Sequence, residues 1–279
     1  MSIELQRSLA IIICVYGGDK AEDLQQMFDS LSSVRCPSGF KVNLYLHIDG
    51  VISKELSDVI NEYDVYKIVR SEKNIGLANG LNKLIAGLEC EEYVFRMDAD
   101  DLIRPDRLIE QVSFMESNKQ VDFCGGSISE FTKHKSNSVS NRNYPVNMEG
   151  IISAFSTSSP FAHVTVCFRR DFFSRFGVYP VDYPLNEDIA FWLASFKKGA
   201  VGANLETVLV DVRMDDAYSR RTAKKAFNEF RVFWAVAKWR KKGYIYPLLR
   251  FSFRFFPSGL VKYIYKSRFR NFLLEKRGE

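Results

Sequence analysis

The run Arg96-Met97-Asp98-Ala99-Asp100-Asp101 sets three carboxylates within four residues. Carboxylates this crowded repel one another, and a divalent cation relieves the repulsion. Alternate aspartates leaving a strand can aim at one ion. Hard oxygen donors favour Mg²⁺ or Mn²⁺, whose remaining positions suit water or a diphosphate. Asp98 and Asp100 are therefore the candidate metal ligands. The competing explanation is an acid-decorated helix start, because Pro105 suits the first turn of a helix just downstream. A second acidic pair, Glu187-Asp188, follows Asn186 and precedes Ile189-Ala190-Phe191-Trp192-Leu193. Acids at a helix start complement its dipole. At the mouth of a site, a carboxylate can instead take a proton from a hydroxyl, which makes Asp188 and Glu187 the candidate catalytic pair.

Other residues gain meaning from where they fall. Tyr16, Asp49 and Asn74-Ile75-Gly76 each follow a predicted strand. Singly they are ordinary turn residues. At successive strand ends, an aromatic, a carboxylate and a flexible polar turn describe a nucleotide pocket. His163 sits in an apolar segment, where a histidine is ordinarily satisfied by neighbouring groups. Arg213, Arg220 and Arg221 follow the last predicted strand. They read equally as a solvated basic linker or as a mobile loop that closes on a diphosphate.

The elements that must position these residues alternate. Strands are expected over 9–15, 41–48, 65–69, 93–97 and 121–125, and helices over 21–34, 53–63, 77–88 and 105–116, with Ser53 as a helix N-cap. This β-α-β-α order argues for an α/β fold with a mostly parallel sheet and right-handed crossovers. Ligands in such folds sit at the carboxyl ends of the strands, the rim on which Asp49, Asp98 and Asp100 fall. Further along, 133–143 reads as an exposed polar loop, 161–168 and 208–212 as strands, and 188–196 as a helix. Basic amphipathic helices over 222–242 and about 245–274 follow, with Pro247 and Pro257 as breaks.

Composition narrows the class. The chain has 279 residues and a net charge of +5, but that charge is unevenly divided. Residues 220–279 carry 17 Lys or Arg against 3 Asp or Glu, out of totals of 39 and 34. Residues 1–219 are therefore acidic, and the two parts are expected to be a catalytic domain (1–219) and a basic aromatic tail (220–279). The tail holds 15 of the 39 aromatic residues. Cations interleaved with aromatics suit a membrane interface. They suit single-stranded nucleic acid as well, although the acidic body would repel a polyanion. Five cysteines, odd in number and widely spaced, argue against a disulfide framework and for a reducing compartment. No uncharged run approaches the roughly 20 residues of a spanning helix.

Taken together, the opening strand with Val15-Tyr16, Ile48-Asp49-Gly50, Asn74-Ile75-Gly76-Leu77-Ala78 and the Asp98-Ala99-Asp100-Asp101 block resemble a family 2 glycosyltransferase of the GT-A fold. Arg104-Pro105-Asp106-Arg107 with Gln111, the segment Pro160 to Val166, and Glu187-Asp188 with Trp192 extend the resemblance to about Arg213. The resemblance is strongest to bacterial enzymes that build O-antigen, capsule or exopolysaccharide. It implies an inverting hexosyltransferase using a nucleotide-sugar donor, with Asp49 toward the base, Asp98 toward ribose and metal, Asp100 as metal ligand and Asp188 as base. It places His163 on the acceptor side and Trp192 on the acceptor or diphosphate side. It further implies Mn²⁺ or Mg²⁺, a UDP-sugar donor and a lipid-linked (undecaprenyl-diphosphate) saccharide acceptor. The expected location is the cytoplasm, peripheral on the inner face of the cell membrane, with no nucleic-acid partner. A sugar-nucleotide pyrophosphorylase is the enzymatic alternative, but Tyr16-Gly17-Gly18-Asp19 is short for its phosphate loop.

Overall fold

The computed structural model describes residues 7–132, 134–215 and 223–254. Four strands form a parallel half-sheet: β1 (Arg7–Tyr16), β2 (Phe40–Asp49), β3 (Lys67–Ser71) and β4 (Tyr93–Asp98), in the order β3-β2-β1-β4. Between them run α1 (Ala21–Ser32), α2 (Lys54–Asn61) and α3 (Leu77–Ala86), and α4 (Arg107–Ser117) follows β4 and the short β5 (Leu102–Ile103). The Ser53 side chain caps α2 by accepting from the Leu56 N–H at 3.2 Å, as its position suggested.

The second half of the sheet is mixed. β6 (Phe123–Thr132) pairs parallel with β9 (Gly202–Arg213) and antiparallel with β8 (Cys167–Arg169), which joins it to β4. β7 (His134–Arg142) pairs antiparallel with β6. Most of the polar run 133–143 is thus an edge strand, His134–Arg142, rather than a loop. It lies off the main path of the sheet, and an edge strand tolerates polar residues such as Ser and Asn. The expected strand 161–168 is also corrected. Its first part turns as a 3₁₀ helix, His163–Thr165, where the Thr165 N–H and hydroxyl both bond the Ala162 carbonyl, at 2.9 and 2.8 Å.

Alternate residues of β1 feed two cores. Ile11, Ile13 and Val15 pack with Leu24, Met27, Leu108 and Met115 on one face. Ala10 and Ile12 face the other core, shared with Leu81, Leu84, Phe191 and Trp192. This is a three-layer α/β/α arrangement. The second face is completed by α5 (Met148–Ala154), α6 (Phe172–Phe176), α7 (Glu187–Lys197) and α8 (Ala223–Arg240), whose Val232, Phe233 and Val236 are built into that core. α9 (Ile245–Arg254) follows α8. Pro247 does not break it, because it lies in the first turn, where no intrahelical N–H donor is required. No described helix is long and apolar enough to cross a membrane.

Candidate active site

Parallel register brings the expected residues to one rim. Tyr16 pairs with Asp49 and Cys14 with Asp98, so β1, β2 and β4 end together. The Asp49 carboxylate is buried and accepts from the N–H groups of Ile75 and Gly76, at 2.7 and 2.9 Å. Its role in the fold is to clamp the 74–76 turn against the strand end. The clamp requires two backbone positions with positive φ, Gly50 (+86°) and Gly76 (+85°). A Cβ on Gly50 would lie 2.8 Å from the Asn74 nitrogen. The turn holds Asn74 exposed, and Tyr16 at the end of β1 is 45% exposed.

β4 delivers the acidic block. Asp98, Asp100 and Asp101 each offer an oxygen within 4.8 Å of the others. Burial and the adjacent Asp100 and Asp98 push the Asp101 carboxyl well above the usual carboxylate range. Three hard oxygen donors converging under mutual repulsion fit a divalent cation. Arg96, two residues back on the same strand face, is buried and pairs bidentately with Asp98, with Nη1 2.6 Å from Oδ2. Its backbone is fixed as well, since its carbonyl accepts from Arg107 Nη2 at 2.9 Å. Arg107 also donates to Gln111, whose amide donates to the carbonyls of Cys124 and Thr165. This buried chain ties the acidic strand to the His163–Thr165 turn, and burial pushes Arg107 down to about 10.

Arg213 lies in neither of the settings expected for it, a mobile loop or a solvated basic linker. It ends β9 and is 5% exposed. Its N–H donates to Asp101 at 2.8 Å, and its guanidinium reaches the Asp100 carbonyl, Asp23 and Gln26 at 3.1, 3.2 and 3.0 Å. It is a clasp on the acidic turn, because these partners tie the end of β9 to that turn and to α1. Arg220 and Arg221 lie outside the described residues.

Glu187 and Asp188 open α7. The Ser159 hydroxyl is 3.5 Å from Asp188 Oδ2. The Arg96 charge favours the ionised forms of Glu187, Asp101 and Tyr179 and opposes protonation of His163, so one buried guanidinium influences members of both acidic groups. His163 Nε2 lies 2.8 Å from the Tyr179 hydroxyl, and Tyr179 is held through its backbone by both ends of the Asn82 amide. Burial and Arg96 push the His163 pKa well below 6.5, keeping the ring neutral. Trp192 departs from its expected place on the acceptor or diphosphate side. It is fully buried, stacked on Phe123 at 5.2 Å, because its position on α7 faces the core. Sequence reasoning missed Tyr179 and Ser159, which carry no motif signal. An open cleft lined by Cys90, Glu92, Arg169 and Asp171 lies at the opposite, amino end of β4 and takes no part in this rim.

Glu187 gives the site a measurable pH signature. Burial and Asp188 raise its pKa from 4.5 to about 7. The folded chain therefore binds this proton more tightly than the unfolded one. That contribution to stability is complete below pH 4.5 and is lost as pH rises through about 7. Glu187→Gln is expected to flatten this part of the decline when Tm is followed across that range without divalent ions. An unchanged slope would remove Glu187 as its source.

A profile described as "Glycosyl transferase family 2" matches residues 10–177, more than half of the chain. The chain belongs to glycosyl transferase family 2. Among relatives of this family 2 member, the amylovoran biosynthesis glycosyltransferase AmsE of Erwinia amylovora is 30% identical over 268 residues, covering 92% of this chain and 97% of that protein. The UDP-Gal:alpha-D-GlcNAc-diphosphoundecaprenol beta-1,3-galactosyltransferase of Escherichia coli is 31% identical over 240 residues, covering 81% and 84%. Among solved structures, the mannosyltransferase PcManGT from Pyrobaculum calidifontis, in complex with GDP-Man and Mn²⁺, superposes with a TM-score of 0.61 at 16% identity, covering 84% of this chain and 64% of that one. At that identity the likeness concerns fold alone, and the fold of this family 2 member is GT-A.

Proposed function

We propose that this glycosyltransferase moves a hexose from a nucleoside-diphosphate sugar, with UDP as the preferred carrier, to a hydroxyl of a lipid-linked saccharide, inverting the anomeric centre. The observation that carries the reading is the convergence of Asp98, Asp100 and Asp101 at the carboxyl rim of the sheet beside the buried Arg96, whose charge also acts on Glu187 of the second acidic pair. Asp98 and Asp100 would hold Mn²⁺ or Mg²⁺, which when bound supplies charge neutralisation for the departing diphosphate. Tyr16, Asn74 and Gly76 form the nucleotide side, with Asp49 shaping their turn. Asp188 takes the proton of the acceptor hydroxyl as it attacks from the face opposite the leaving group. Glu187 retains a share of its proton near neutral pH, which limits the negative charge beside that base. His163, neutral and held by Tyr179, offers a hydrogen-bonding wall rather than a second base.

Bacterial surface polysaccharide is the proposed context, supported by the printed names of AmsE and the galactosyltransferase. A diphosphoundecaprenol-type acceptor would keep the enzyme at the inner face of the cell membrane. The basic stretch 220–279 suits an anionic bilayer surface there. Family membership takes the place of the nucleic-acid-binding and pyrophosphorylase alternatives. A panel of nucleotide-sugar donors, each offered with lipid-diphosphate saccharides and Mn²⁺, tests the reading. At least one pair is expected to release nucleoside diphosphate only when donor and acceptor are both present. Release that is absent throughout, or independent of acceptor, would reject it.

A further inference from the structure

The two faces of α9 differ sharply. Its inner face packs on α8, where Phe251 lies 5.4 Å from the Phe230 ring and the Arg250 guanidinium sits 4.4 Å over Phe233 and pairs with Glu229. Its outer face carries Ile245, Leu248 and Leu249 at positions i, i+3 and i+4, exposed by 59%, 46% and 58%. Tyr244 and Tyr246 flank this face, each 43% exposed, and Lys241 and Lys242 precede it. From Arg231 to Arg254 there are seven Lys or Arg and no Asp or Glu. An apolar stripe, amphipathic tyrosines and an excess of cations match the layered chemistry of an anionic bilayer: acyl chains, interface and headgroup phosphates.

The same helices reach the site. Arg250 donates to the Thr157 carbonyl at 2.5 Å, and Arg240 to the Ser153 carbonyl at 2.9 Å. The segment they hold leads directly into Ser159, the neighbour of Asp188. Asn228 of α8 donates to the Pro184 carbonyl at 3.3 Å, on the chain that enters α7.

We propose that the outer face of α9, through Ile245, Leu248 and Leu249, docks on an anionic bilayer, and that α8 and α9 thereby hold the acceptor side of the site against the membrane surface. The second half rests on the reading of Asp188 as the acceptor-side base, whereas docking itself stands apart from catalysis.

The test uses the full chain with vesicles of phosphatidylglycerol and phosphatidylethanolamine, against vesicles of phosphatidylcholine. The wild type is expected to float with the anionic vesicles only. Ile245→Asp/Leu249→Asp is expected to bind them at least about tenfold more weakly, through lost apolar burial and added repulsion. Lys241→Gln/Lys242→Gln is expected to weaken binding about fivefold per cation. Both doubles should keep the wild-type Tm, because the altered side chains lie exposed. Both should also keep wild-type turnover of a short-chain, water-soluble diphosphate acceptor while losing turnover of a long-chain acceptor in vesicles. Equal flotation of the wild type and the Ile245/Leu249 double would overturn docking. So would a change in sedimentation from dimer to monomer without a change in flotation, which would make the face a contact between copies. Normal docking with no turnover of any acceptor would instead refute the functional reading and leave the membrane face standing.

Discussion

Asp188→Asn is expected to lower kcat for sugar transfer by about 10²- to 10⁴-fold while leaving the donor KM and the Tm near wild type. The substitution keeps the shape of the side chain and its ability to accept from the Ser159 hydroxyl, 3.5 Å away. It removes the carboxylate that would take the acceptor proton. A structural role would show the opposite pattern, with a reduced Tm and an intact kcat in the protein that remains folded. Steady-state kinetics with acceptor and donor varied separately distinguishes the two, and near wild-type kcat would rule out Asp188 as the base. Glu187→Gln is the internal control, since the loss of its carboxylate should act mainly through the pH dependence already described.

Asp100→Ala is expected to abolish metal-assisted transfer, with a loss on the order of a thousandfold. That corresponds to the several kcal/mol of charge stabilisation a divalent ion supplies to a leaving diphosphate. Mn²⁺ binding, followed by the EPR signal of the free ion, should weaken in the same variant. The comparison with Asp101→Asn is instructive. Asp101 is 3% exposed and accepts from the Arg213 N–H at 2.8 Å, so it ties the acidic turn to β9. Its loss should lower Tm as well as activity, whereas Asp100→Ala should leave Tm unchanged or raise it by relieving repulsion. If Asp100→Ala bound Mn²⁺ as the wild type does, the ligand assignment would fail.

What could be read from the sequence was what is local. The aspartates of the acidic block are neighbours in the chain, and their mutual repulsion is visible without a fold. Ser53 caps α2 through a residue three positions away. The β-branched run of β1 announces a buried strand, and alternation of strands and helices gives the parallel half of the sheet with its carboxyl rim. What escaped depends on distant partners. Arg213 is a cation after a strand in the sequence. Its contacts with Asp23, Gln26 and Asp101, between 112 and 190 residues away in the chain, make it a clasp rather than a loop. Trp192 carried a functional expectation because it follows Glu187-Asp188, but helical geometry turns it into the second core, against Phe123. Tyr179 gained its place through Asn82, 97 residues away, and through His163. β7 was hidden because an edge strand may be polar throughout, so no alternation of apolar and polar residues in the sequence marks it.

Asp49 shows how motif and geometry combine. The resemblance pointed it toward the nucleotide base, and the structure places it at the carboxyl rim of the sheet. Its two oxygens, however, are engaged by the N–H groups of Ile75 and Gly76. The carboxylate therefore shapes the turn that carries Asn74, and its influence on a bound nucleotide would pass through that turn.

The central claim is that the Asp98-Ala99-Asp100-Asp101 and Glu187-Asp188 groups form one inverting transfer centre. The most direct measurement is the anomeric configuration of the product, read by NMR from the one-bond C–H coupling at the transferred sugar, when an α-linked nucleotide hexose is the donor. The account predicts a β-linked product formed together with nucleoside diphosphate, and no product when a chelator removes divalent ions. An α-linked product, or undiminished transfer in the presence of the chelator, would contradict it.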